Sequence, residues 1–72
     1  MIIKSFMETA QIDRVVDVAD ILGVTRQYVY NCIKDDKNIK LSELGEMVRY
    51  LEKNAIIFTI NYDSQGSLYF DK

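Results

Sequence analysis

Apolar positions along this chain recur at two different periods, and the change of period divides it. As far as about residue 54 they fall three and four apart, the spacing of one face of a helix. From residue 55 onward the residues turn β-branched and aromatic, the composition of strands. Ile3, Phe6, Met7 and Ala10 give a short amphipathic helix over residues 2 to 10. An opening strand, Met1-Ile2-Ile3, pairing with a later sheet is the alternative for that segment. Gln11-Ile12-Asp13 then connects, with Asp13 expected as the N-cap of the next helix and Arg14 just inside it.

Residues 14 to 34 hold two short helices around a tight turn. Val15, Val18, Ala19 and Leu22 share the face of the first. Gly23 ends it, because glycine takes the left-handed C′ conformation without a Cβ penalty. Val24 plugs the turn. Thr25 supplies an N-cap hydroxyl for a second helix, which buries Val29, Cys32 and Ile33 and turns Arg26, Gln27, Tyr28, Asn31 and Lys34 outward. Tyr30 falls between the two faces. Such a pair suits a helix-turn-helix whose second helix enters the major groove of DNA.

A polar loop, residues 35 to 40, follows, with Ile39 expected to tuck inward. Leu41, Leu44, Val48 and Leu51, widened by Met47, then form the seam of another helix, with Glu43, Glu46, Arg49 and Glu52 on its wet side. Gly45 weakens that helix by about 1 kcal/mol relative to alanine, so close packing against a neighbour is expected there. Asn54 is the expected left-handed terminator. A strand over residues 55 to 62 should carry Ile56, Phe58, Ile60 and Tyr62 on one face and Ile57, Thr59 and Asn61 on the other. Residues 63 to 66 make a turn, and Ser67 to Phe70 return. The expected fold is α+β: four short helices containing a helix-turn-helix, then a β-hairpin. Residues 1–72 form one domain, with a helical part at 1–54 and a hairpin part at 55–72.

Seventy-two residues bury only about 60% of their unfolded surface, so a second subunit would add needed stability. The chain is 49% apolar and patterned, which excludes a disordered tail. No apolar run approaches the roughly 20 residues of a membrane span, and the opening residues lack the layout of a signal peptide. A single cysteine, Cys32, rules out an internal disulfide and sits on a buried face as a packed thiol. A cytoplasmic setting, in a bacterial or phage-infected cell, fits these features. There is no histidine and no glycine-rich phosphate loop. Asp17 and Asp20, three apart, read as solvated helix charges rather than an acid–base or metal pair. An enzyme is therefore not expected, nor is a cofactor or metal.

The net charge of −2 runs against DNA binding, where phosphate contacts supply most non-specific affinity. Its distribution runs the other way. Residues 24–40 carry Arg26, Lys34, Lys37 and Lys40 against Asp35 and Asp36, net +2, while residues 1–23 and 41–72 are each net −2. The one positive segment coincides with the proposed reading helix and the loop after it.

Ala19-Asp20-Ile21-Leu22-Gly23-Val24-Thr25-Arg26, followed by Val29, resembles the helix-turn-helix of the Cro/repressor-type (XRE-like) family. In that family a small alanine at the helix crossing, a turn glycine and a Ser/Thr-Arg start to the recognition helix recur. Ile57-Phe58-Thr59-Ile60-Asn61, Asp63 and Gly66-Ser67-Leu68-Tyr69 resemble the C-terminal hairpin of lambdoid-phage Cro proteins, with two extra residues in the turn. Cro has no helix equivalent to residues 41 to 53. Repressor-type antitoxins also end in a helix and a strand that pairs across a dimer. These resemblances imply a transcriptional regulator that binds a pseudo-palindromic operator as a homodimer joined through the hairpin.

The expected DNA-binding residues are Arg14, Thr25, Arg26, Gln27, Tyr28, Asn31, Lys34, Lys37 and Lys40. Gln27 can make a bidentate pair with adenine, and Arg26 can reach guanine or phosphate. Lys37 and Lys40 stand where the loop would meet the sugar-phosphate backbone. The expected dimer interface draws on Ile56, Phe58, Ile60, Leu68 and Phe70. Tyrosines and amides on an exposed helix also suit a protein interface. The competing expectation is thus a protein-binding module on the same fold, such as a phage antirepressor or inhibitor.

Overall fold

A computed structural model describes all 72 residues. It contains α1 (Ile2–Ala10), α2 (Val15–Leu22), α3 (Arg26–Lys34), a single 3-10 turn (Asp36–Asn38), α4 (Leu41–Lys53), β1 (Thr59–Tyr62) and β2 (Leu68–Asp71). The fold is the expected α+β arrangement of four helices and an antiparallel hairpin. No helix is long and apolar enough to cross a membrane.

Three helices end on a residue in the left-handed conformation, which lets its own N–H and that of the following residue bond back to the last turn. Gln11 does this for α1 (φ 57°), Gly23 for α2 (φ 68°) and Ala55 for α4 (φ 56°). The N–H groups of Ile12, Val24 and Ile56 return to the carbonyls of Met7, Ala19 and Leu51 at 2.8, 3.0 and 2.9 Å. The expected terminator Asn54 is not left-handed (φ −94°). Its side-chain amide donates to the Tyr50 carbonyl at 2.8 Å, and the reversal falls on Ala55. At the start of α2 the N-cap is Arg14 in place of Asp13, and no side chain caps the helix.

The centre of the core is Ile3 and Phe6 of α1, Val18 of α2, Val29 and Cys32 of α3, and Met47 and Leu51 of α4, all fully buried. Phe70 of β2 joins them. The Phe6 ring meets those of Tyr50 and Phe70, each at 5.8 Å between centroids, and Phe58 meets Phe70 at the same separation. Hairpin and helices therefore share one core. The buried line of α4 is rotated from the expected seam: it runs Glu43, Met47, Leu51, whereas Leu41 is 84% exposed. Val48 and Leu44 flank that line half-buried. Gly45 faces solvent with no atom within 4 Å of where a Cβ would stand, so it makes no close approach.

The first strand is shorter than expected, because residues 56 to 58 approach the sheet without pairing in it. Ile60 opposes Phe70 and Tyr62 opposes Leu68. The turn is held by Asp63, whose Oδ1 accepts the N–H groups of Gln65 and Ser67 at 2.8 and 2.9 Å. β2 lies against α1, where Ser5 Oγ accepts the Phe70 N–H at 2.8 Å and donates to the Ile2 carbonyl at 2.9 Å. That bond shows the Phe70 N–H pointing away from β1. By antiparallel alternation, the N–H and C=O groups of Ile60 and Tyr62 also point out of the hairpin, on the opposite edge. One edge is closed by α1 and the other is open.

Ser5→Ala removes the acceptor from the Phe70 N–H beside the core. An unfilled donor of this kind costs about 1–3 kcal/mol, so the midpoint of urea unfolding should fall accordingly with an unchanged slope. An unmoved midpoint would show that solvent fills the vacancy.

Candidate nucleic-acid interface

α2 and α3 pack on each other across Gly23, Val24 and Thr25, and Val18, Ala19 and Val29 meet in the core beneath them. Thr25 is extended and caps α3: its Oγ1 accepts the Tyr28 N–H at 3.1 Å. With Val29 and Cys32 inward, helical spacing throws Arg26, Gln27, Asn31 and Lys34 outward, and all four are exposed. Gln27 Nε2 donates to Asn31 Oδ1 at 3.2 Å, which leaves Asn31 Nδ2 free to donate. These two amides form one polar strip along the helix.

Tyr28 behaves differently. Its ring is half-buried, and its hydroxyl lies 2.8 Å from Glu43 Oε1 and 2.9 Å from the Asn38 carbonyl oxygen. One phenolic proton serves both acceptors. The same Glu43 oxygen accepts the Lys40 N–H at 2.8 Å. Glu43, expected on the wet side of α4, is only 8% exposed and joins α4 to α3. The Asn38 side chain adds a second tie, donating to the Asn31 carbonyl at 3.1 Å. The Glu43 hydrogen bond, then loss of solvent, then the Glu43 charge push the Tyr28 phenol up to about 12. Burial pushes the Cys32 thiol up as well; the nearby Tyr28 hydroxyl opposes this and the charges of Glu43 and Asp36 add to it.

These ties shape a notch of about 330 Å³ lined by Tyr28, Asn31, Lys34, Asn38 and Lys40. It contains two lysines and no carboxylate. The nearby acids turn to backbone groups. Asp35 Oδ1 accepts the Lys37 N–H at 3.0 Å. Asp36 Oδ1 accepts the Ile2 N–H at 3.3 Å and pairs with the Met1 amino group at 3.1 Å, capping α1. The only other ion pair joins Arg49 and Glu46, so Arg26, Lys34, Lys37 and Lys40 have no carboxylate partner within the chain.

The structure thus gathers Gln27, Asn31, Lys34 and Lys40, with Arg26 at the start of the same helix. Lys37 is exposed on the adjoining 3-10 turn, outside the notch. Arg14 stands apart, in a groove with Asp13, Asp17, Asp20, Ile21 and Tyr50. Tyr30 is 50% exposed and faces a different, apolar groove. Asn38 and Glu43 are the residues that sequence reasoning missed. The available signal was a glutamate three positions after the loop residue Lys40, the spacing at which a carboxylate reaches back to a helix start. No three His, Cys, Asp or Glu side chains come together as a metal site.

The neutral phenol is the form that donates to Glu43. Its stabilising effect is complete below the ordinary tyrosine pKa of about 10 and is lost as pH rises through about 12. Wild-type stability should therefore decline over that alkaline interval, and Tyr28→Phe should be less stable at neutral pH with a flatter decline. Urea midpoints measured at neutral and alkaline pH for both proteins give the comparison; parallel pH profiles would refute it.

Comparison with protein-family models, curated proteins and solved structures finds no match to this chain.

Proposed function

We propose that the chain is a sequence-specific DNA-binding regulator of the Cro/repressor type, reading an operator inside a bacterial or phage-infected cell. The observation that carries this reading is the outward side of α3 and the notch beside it: amides and cations, with the neighbouring acids turned to other partners. α3 lies in the major groove, where Gln27 meets a base edge and Arg26 a guanine or phosphate. Asn31, Lys34, Lys37 and Lys40 take backbone phosphates, which fix register without reading sequence. Tyr28, with its hydroxyl held by Glu43 and Asn38, braces the helix and offers only its ring edge. Two copies about a two-fold axis would set their reading helices about 34 Å apart, one turn of the duplex.

A second reading has its own observation. Tyr30, Met7, Ile12, Val15 and Ile33, edged by Lys4, Glu8, Gln11 and Asp13, line a mainly apolar groove of about 800 Å³, suited to a protein ligand. On that reading Tyr30, and none of Lys34, Lys37 and Lys40, governs binding.

Fluorescence anisotropy on duplexes from the DNA flanking the protein's own gene, at two salt concentrations, tests the choice. Gln27→Ala should lose about 1–3 kcal/mol of discrimination at one base pair. Lys37→Ala should weaken all duplexes alike and lower the salt slope by about one. Absence of binding at low salt by folded protein would remove the regulator reading.

A further inference from the structure

The mainly apolar groove at Tyr30 and the acidic groove at Arg14 are neighbours. Both are walled by Gln11, Ile12 and Asp13, the connector between α1 and α2. That connector is held in place: Gln11 takes the left-handed reversal, and the Ile12 N–H returns to the Met7 carbonyl at 2.8 Å. One trough therefore runs from half-buried Met7 and Ile33, past Ile12, to exposed Asp17 and Asp20. The half-exposed Tyr30 ring forms part of its apolar end.

We infer that this trough is the docking site for a cationic amphipathic helix of a partner protein. The inference rests on the protein-ligand reading above, which leaves the ligand's chemistry open, and needs no contact between α3 and DNA.

Charge selects the occupant. Glu8, Asp13, Asp17 and Asp20 line the trough against Lys4 and Arg14, and none of these enters an ion pair within the chain. The acids beside α3 differ, because Asp35, Asp36 and Glu43 each accept a hydrogen bond. Folding gives no reason for Asp20. It stands in the last turn of α2, where the helix dipole disfavours an acid and no basic residue accompanies it. It is also three positions from the like charge of Asp17. The trough thus joins apolar walls to an excess of unpaired carboxylates, which repels duplex DNA and anionic lipid and attracts a cation.

A helix suits the trough better than an extended segment. Its walls are mostly side chains of α1, α2 and α3, whose backbone groups bond within their own helices. An extended chain would find few backbone partners there, whereas a helix carries its own. Apolar residues at i, i+3, i+4 and i+7 enter beside Met7, Ile33 and Tyr30, and lysine or arginine on the flank meets Asp13, Asp17 and Asp20. Met7, unbranched, adapts to the fit.

A dye-labelled synthetic helix of about 18 residues, leucine on one face and lysine on the other, tests the assignment by fluorescence anisotropy without DNA. Companion peptides carry glutamate for every lysine, or serine for every leucine. The leucine–lysine helix should bind, and both companions at least about tenfold more weakly. Tyr30→Ala should weaken binding about tenfold. Asp17→Asn combined with Asp20→Asn should weaken it about three- to tenfold and flatten its salt dependence. Both acids are exposed, so this variant keeps its fold, checked by circular dichroism, and carries the test if Tyr30→Ala does not fold. Lys34→Ala and Lys40→Ala, on the notch, should not weaken binding. Amide shifts in an NMR titration should gather at Met7, Ile12, Asp17, Asp20 and Tyr30. No binding by folded protein, or binding unmoved by both Tyr30→Ala and the double variant, would overturn the inference. Equal binding of the glutamate helix would also overturn it, and dependence of that binding on Tyr30 would leave the protein-ligand reading standing. The same amides shifting on dilution of the protein alone, or with anionic vesicles or duplex DNA, would name a different occupant and overturn it too.

Discussion

A single carboxylate sets the relation between α3 and the rest of the molecule. Glu43 is withdrawn from solvent at the start of α4 and accepts from the Tyr28 hydroxyl and the Lys40 N–H. A buried acid without donors is costly, and these two bonds, both to a charged acceptor, offset its loss of water. Their geometric effect is to fix α3 against the segment that carries Asn38 and Lys40. The notch lined by Lys34 and Lys40 follows from that constraint, as does the withdrawal of the Tyr28 hydroxyl from any external partner.

The same economy of contacts organises the charges. A chain of net charge −2 still presents a notch whose lining has no carboxylate, and the acids nearest to it have structural partners: Asp35 in the 3-10 turn, Asp36 at the head of α1, Glu43 beneath Tyr28. Three of the other acids, Asp13, Asp17 and Asp20, gather with Arg14 on the α2 side. Net charge therefore says little here about what one face can bind. The arrangement of hydrogen-bond partners says more.

The hairpin is tied in by a comparable device. Ser5 closes one edge of β2, and Phe70 completes the aromatic contact with Phe6. First and last elements are thus joined, and the sheet has only one side left for a neighbour. Ile60 and Tyr62, two of the exposed apolar residues, belong to the strand on that side.

Helices, the Gly23 turn, the Thr25 cap and the hairpin were legible in the sequence because each depends on local chemistry: periodicity, a left-handed glycine, a hydroxyl three residues from an orphan N–H, a change to β-branched residues. The outward set Arg26, Gln27, Asn31 and Lys34 follows from the same periodicity once Val29 and Cys32 are inside. What the tertiary structure decided depends on neighbours distant in sequence. Leu41 and Glu43 exchanged places relative to expectation because α4 meets Tyr28 and the core at an angle that its own pattern does not encode. Asn54 yielded the left-handed position to Ala55 because its amide could bond the Tyr50 carbonyl. The open edge fell on β1 because Ser5, some 65 residues from Phe70 in sequence, reaches β2. Sequence by itself determines which elements form and which faces are apolar, since those are short-range preferences; which polar group each face meets is settled only when the packed chain brings the partners together.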